Sequence, residues 1–209
     1  MITQTRETQA AITPDRALEM LREGNERFLA RAPEKRDLLR QVELTKGGQA
    51  PFAVVLSCID SRVPAETVFD QGIGDIFSAR IAGNFVNHDL LGSIEFATKL
   101  AGAKLVLVLG HSRCGAVMGA CDGAELGHLT GMLAHITPAV NAVADPRDPG
   151  ERTSANAAFV QAVVEKNVEH AVAAMRERSS ILRDLESSGA IRIAGAVYDV
   201  HSGRVDFGT

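Results

Sequence analysis

The chain has 209 residues, 45% of them hydrophobic, with a formal charge of −4 and no shift in composition that would divide it. That is enough apolar material for one core, and the absence of Lys/Arg clusters argues against nucleic acid or an anionic membrane as partner. Three cysteines and a polar start, MITQTRETQAAITPDR, with no apolar run of membrane-spanning length, favour a thiol or metal role in a cytoplasmic protein over a disulfide framework or an inserted segment.

Taken in chain order, Thr13 reads as the N-cap of a helix with Pro14 at its first position, and Ala17, Leu18, Leu21, Phe28 and Leu29 fall on one face. PFAVVLS (51–57) and AKLVLVLG (103–110) are short, continuous, β-branched apolar runs, the pattern of strands covered on both faces of a parallel sheet. Between them DIFSARIAG offers a further strand, followed by a helix over Leu90 to Leu100. A helical pattern from Asn156 to Leu185 is interrupted near Ser179 and Ser180. AIRIAGAVYDV then reads as a late strand that forms a hairpin with RVDF across HSG. The expected fold is α/β: a mainly parallel central sheet flanked by helices, in one domain over 1–209, with an N-terminal helical arm (1–50) ahead of an α/β core (51–209).

In such sheets ligands gather beyond the carboxyl ends of the strands, and two strand ends carry unusual residues. LSCIDSRVP places Cys58, Asp60 and Arg62 after the first apolar run; GHSRCG places His111 and Cys114 after the second. If the two strands are neighbours, two thiols and an imidazole converge, a ligand set suited to zinc with one position left open. Asp60 and Arg62, two residues apart, lie on the same side of an extended chain, where the guanidinium can grip the carboxylate. The glycines of QGIGDIF lack dinucleotide spacing and GHSRCG lacks the Lys-Ser/Thr of a phosphate loop, which excludes the common nucleotide sites. Cys121 reads as a helix-buried thiol, and His88 as a capping or surface residue at a helix start.

CIDSR paired with HSRC, the run VFDQGIGDIFSARIAGN between them and VYDVHSG near the end resemble the β-class carbonic anhydrases over nearly the whole chain. The resemblance implies one Zn2+ per subunit on Cys58, His111 and Cys114, and a catalytic dyad of Asp60 and Arg62. It implies reversible hydration of CO2 to bicarbonate and a proton through zinc-bound hydroxide, with Gln49, Phe77, Phe96 and Val63 around the substrate. It further implies a homodimer or homotetramer in which the arm embraces a second subunit and the cleft lies at the interface. Val55 stands where members with an inhibitory bicarbonate pocket carry Trp, although Arg80 and Tyr198 of that pocket are present. Two other readings stay open on the residues: hydrolysis of CS2 or COS on the same site, and a non-catalytic zinc or thiol sensor module.

Overall fold

A computed structural model describes residues 3–208. Two helices, α1 (Arg6–Ala11) and α2 (Pro14–Leu29), open it, and Thr13 caps α2 through its side chain with Pro14 in the first turn. Helix α3 (Leu38–Thr45) follows, and then strand β1 (Ala53–Ser57), the short helix α4 (Ala65–Val68) and strand β2 (Ile76–Arg80). Helix α5 (His88–Glu95) passes into a π turn over Phe96–Leu100 before strand β3 (Leu105–His111). The helix expected up to Leu100 therefore changes winding at Phe96, where the Thr98 hydroxyl donates to the Ile94 carbonyl and competes with the α-helical ladder.

Three short helices, α6 (Gly115–Cys121), α7 (Gly127–Leu133) and α8 (Thr137–Ala142), lead to the long α9 (Ala157–Arg178) and to α10 (Ser180–Ser187). The interruption expected near Ser179 is a real break. Ser179 ends α9 in extended backbone and caps α10 with its hydroxyl, so one residue stops one helix and starts the next. Strand β4 (Arg192–Tyr198) and the two-residue β5 (Val205–Asp206) complete the hairpin read from the sequence.

The sheet order is β2-β1-β3-β4-β5, parallel except for β5. Strand period two sends alternate residues to opposite layers. Val54, Leu56, Val106 and Val108 meet α9 on one face, while Ala53, Val55, Leu105 and Leu107 meet α2 on the other. Both layers exclude water, which is why these strands read as unbroken apolar runs. Ala17, Leu18 and Leu21 of α2 are buried in this chain's own core, so α2 is an outer layer of the same hydrophobic unit. Gly110 is forced by packing: a Cβ there would stand 2.5 Å from Val168 Cγ2 of α9. No helix among the described residues is long and apolar enough to cross a membrane.

Candidate metal centre

Register brings the two motifs together. β1 pairs in parallel with β3, Ser57 lying opposite Leu109, so the residues that follow emerge side by side at the carboxyl edge. Cys58 leaves β1, His111 ends β3, and Arg113, with a left-handed φ of 54°, turns the chain so that Cys114 faces back as the first residue before α6. The ligand atoms of Cys58, His111 and Cys114 lie within 4.8 Å of one another, and all three residues are buried. The two sulfurs are 4.0 Å apart.

The chemistry of this cluster fits a soft divalent ion. His111 Nδ1 faces the Ser112 carbonyl at 3.0 Å, and because a carbonyl can only accept, Nδ1 carries the proton. The lone pair is thereby left on Nε2, which is fully buried without a hydrogen-bond partner, a costly state for a polar atom unless something binds it. The Cys58 thiol is pushed well down from its ordinary pKa, first by the hydrogen bond from Cys114 and further by the Gly83 N–H, which outweigh burial. Cys114 moves up for the complementary reason, since it holds the shared proton beside a thiolate in a desolvated site. Displacing that proton would give two thiolates and one neutral imidazole, the donor set that zinc prefers.

The carboxylate beside the cluster is held from one side. Arg62 donates from Nε to Asp60 Oδ1 at 2.9 Å, from a terminal nitrogen to Oδ2 at 2.7 Å, and from its backbone N–H to Oδ1 at 2.9 Å. These bonds, the side-chain pair foremost, hold the Asp60 pKa down to about 2 against burial. Its Oδ2 lies 3.9 Å from His111 Nε2.

Arg80 has a role at this site that the sequence did not announce. Its Nε donates to the Cys58 carbonyl at 2.9 Å and its terminal nitrogen to the Asp60 carbonyl at 2.7 Å, propping the loop that carries both side chains. The pairing of Ser57 with Arg80 across β1 and β2 puts it there, a register no local motif announces. Asn167 of α9 is a second such residue: it donates to the Gly83 carbonyl at 2.8 Å, and the Gly83 N–H reaches Cys58 Sγ at 3.4 Å.

Of the residues expected around a substrate, Phe77, Phe96 and Gln49 line cavities that include none of the three ligand residues. Phe77 and Phe96 pack edge to face, 6.4 Å between ring centres. With Val54 and Leu90 they line an open cavity of about 680 Å³ at the β2 edge of the sheet. Val54 precedes Cys58 by four residues, roughly 13 Å along the chain at about 3.3 Å per residue, while Ala79, which also lines the cavity, pairs with Leu56. Gln49 borders the other side of Phe96. Val63 alone is close in sequence to the dyad, and its side chain is fully buried in the α2-side core. His88 is exposed at the first position of α5, and Cys121 is half-buried at the end of α6, apart from the cluster; burial pushes its thiol up to about 11.

Residues 53–205 match the family model described as "Carbonic anhydrase". The chain is 37% identical over 194 residues to "Carbonic anhydrase 2" of Mycobacterium tuberculosis, covering 91% of each. Among solved structures it is similar to a Coccomyxa β-carbonic anhydrase in complex with acetazolamide, with a TM-score of 0.70 at 23% identity over 91% of this chain and 83% of that one. It is also similar to one of two tetrameric β-carbonic anhydrases from Sordaria macrospora, with a TM-score of 0.66 at 26% identity over 77% of this chain and 82% of that one.

Proposed function

We propose, from the premise that this chain belongs to the carbonic anhydrase family in its β class, that it hydrates CO2 reversibly at a zinc centre on Cys58, His111 and Cys114, with Asp60 and Arg62 as the dyad beside it. The observation that carries this reading is the meeting of three buried ligand atoms within 4.8 Å, one of them a nitrogen with no other partner. Zinc, when bound there, supplies a Lewis acid that lets water lose a proton near neutral pH.

The chain's own residues do the rest. CO2 has no charge, so it is held by apolar surface, and the overall change is the formation of one C–O bond with release of one proton to solvent. Asp60, ionised through the working range, accepts a hydrogen bond from the attacking water and points the oxygen lone pair at the substrate carbon. Arg62 occupies the opposite edge of that carboxylate and keeps it from turning. Arg80 fixes the backbone under both.

Phe77, Phe96 and Gln49 enter this scheme through a second copy of the chain. They line cavities at the sheet edge that include none of the three ligand residues, and Phe96 is exposed there. In a two-fold pair the surface of one subunit covers the cluster of the other. The Gln49 amide then donates to a bicarbonate oxygen, and the two phenylalanines exclude water. Val63 supports the dyad loop from below. The tetrameric state named for the Sordaria macrospora proteins is in keeping with such a pair.

The test is zinc analysis coupled to stopped-flow CO2 hydration, with sulfide release from COS assayed in parallel. One zinc per chain and CO2 hydration are expected of the wild type, and both should vanish in Cys58→Ser and in His111→Ala. Zinc retained at full stoichiometry in either variant, or sulfide release outpacing CO2 hydration, overturns the reading.

A further inference from the structure

The lone pair that His111 offers to a metal is only as well fixed as the group on the other side of its ring, and that group is held by a chain of contacts running to the far end of β4. His111 Nδ1–H donates to the carbonyl of Ser112. Ser112 is itself fastened three times: its N–H donates to the Tyr198 carbonyl at 2.9 Å, its hydroxyl donates to Asp199 Oδ1 at 2.9 Å, and the same hydroxyl accepts from the Val200 N–H at 3.0 Å. Asp199 is immobilised in turn by the N–H groups of His201 and Ser202, both at 3.1 Å, and by the Ser202 hydroxyl at 2.6 Å.

We infer that Asp199, acting through Ser112, is a positioning residue for the metal-facing nitrogen of His111. The inference rests on the proposed zinc centre and extends it outward by two shells. A ligand histidine works best when its second nitrogen is committed to one acceptor, because that fixes the tautomer and the ring's orientation before the metal arrives. Here the acceptor is a backbone carbonyl in a turn, a weaker anchor than a carboxylate. The Ser112–Asp199 bond supplies the rigidity that a carbonyl in a free loop would lack. Asp199 also closes the turn between β4 and β5, and that local duty accounts for its bonds to residues 201 and 202. It does not account for the bond to a side chain 87 positions away in sequence, adjacent to a candidate ligand.

The two roles separate experimentally, because Ser112→Ala cuts the link and leaves every bond within the turn in place. Zinc affinity is measured by competition with a chromophoric chelator, and the tautomer of His111 by the 15N shifts of its ring. Wild type is expected to show a single Nδ1–H ring. Ser112→Ala should bind zinc on the order of 10- to 100-fold more weakly, with a mixed ring population, and Ser112→Thr, which keeps the hydroxyl, should return to within a few-fold of wild type. Asp199→Asn, whose single amide oxygen can still accept from Ser112 and His201 but which loses the charge and the acceptor facing Ser202, should fall between, and it decides the matter should Ser112→Ala not fold. Wild-type affinity and an unchanged ring in Ser112→Ala, or in Asp199→Asn if that variant stands in for it, overturn the inference, as does a Thr variant as weak as the Ala variant. Zinc that stays bound in Cys58→Ser defeats the metal centre itself, and that failure is read without either variant of this pair.

Discussion

Two aspartates of this chain are each gripped by arginine, and they are spent differently. Asp70, buried, has both carboxylate oxygens occupied: Oδ1 by Arg36, and Oδ2 by Arg27 Nε at 2.5 Å and by the Glu34 N–H at 3.1 Å. Its carbonyl also accepts from Arg36 at 2.5 Å. Burial alone would raise its pKa, but the bonds from Arg27, Arg36 and Glu34 reverse that and leave the carboxyl below its ordinary value. Asp60 has the same kind of partner on one side only, and its other side faces the buried imidazole of His111. A carboxylate saturated by donors can hold a fold together and do nothing more; one with a free edge beside a ligand cluster can act on a substrate.

Substituting each carboxylate with its amide sharpens the contrast, since shape is kept and charge is lost. Asp60→Asn is expected to lower kcat for CO2 hydration about 10²- to 10³-fold, the scale of losing one preorganised electrostatic group, while zinc content and melting temperature stay at wild-type values. Asp70→Asn should do the reverse. Asn tolerates the left-handed backbone at this position (φ 47°), so the expected cost is that of an unpaired buried arginine, about 3 kcal/mol, or a fall in Tm of roughly 6–12 °C, with unchanged kcat per folded molecule.

The stabilising charge of Asp70 also has a pH signature. Its folded pKa is depressed, so its contribution is present above the unfolded carboxylate value of about 3.9 and is lost as pH falls through the lower folded value. The melting advantage of wild type over Asp70→Asn should stay constant from pH 7 to 5 and shrink below about pH 4. The smallest effect belongs to Arg62→Lys, which keeps the charge and gives up the two-pronged grip. It should cost on the order of tenfold in kcat, equivalent to one charged hydrogen bond of about 1.5 kcal/mol, with no change in melting. Equal losses of stability in the Asp60 and Asp70 variants would erase the distinction.

Much of this was legible in the chain. Continuous apolar runs located β1 and β3, and Thr13-Pro14 and Ser179 marked helix boundaries by side-chain chemistry that is local. Cys58, Asp60 and Arg62 stood out because three polar groups in alternation after a buried strand have few other uses, and Asp60 finds its arginine two residues away. Asp70 was invisible for the opposite reason: its arginines are 43 and 34 positions upstream, joined to it only by folding. The bonds of Asn167 to Gly83 and of Ser112 to Asp199 likewise span 84 and 87 positions. Helices α7 and α8 have Leu126 and Ile136 at their N-caps, which offer no capping side chain, so apart from Pro138 in the first turn of α8 the sequence did not announce their starts.

The placement of Phe77 and Phe96 in a cavity at the sheet edge has a genetic corollary. If each site draws its ligands from one chain and its apolar cover from the other, two defective chains can cure one another. A chain with Cys58→Ser keeps an intact cover, and a chain with Phe96→Asp keeps an intact ligand set. A mixed pair of the two carries one site with both parts sound and one with neither. Co-expression should recover activity that neither chain has alone, and a mixture as inert as its components would mean that each chain builds its site unaided.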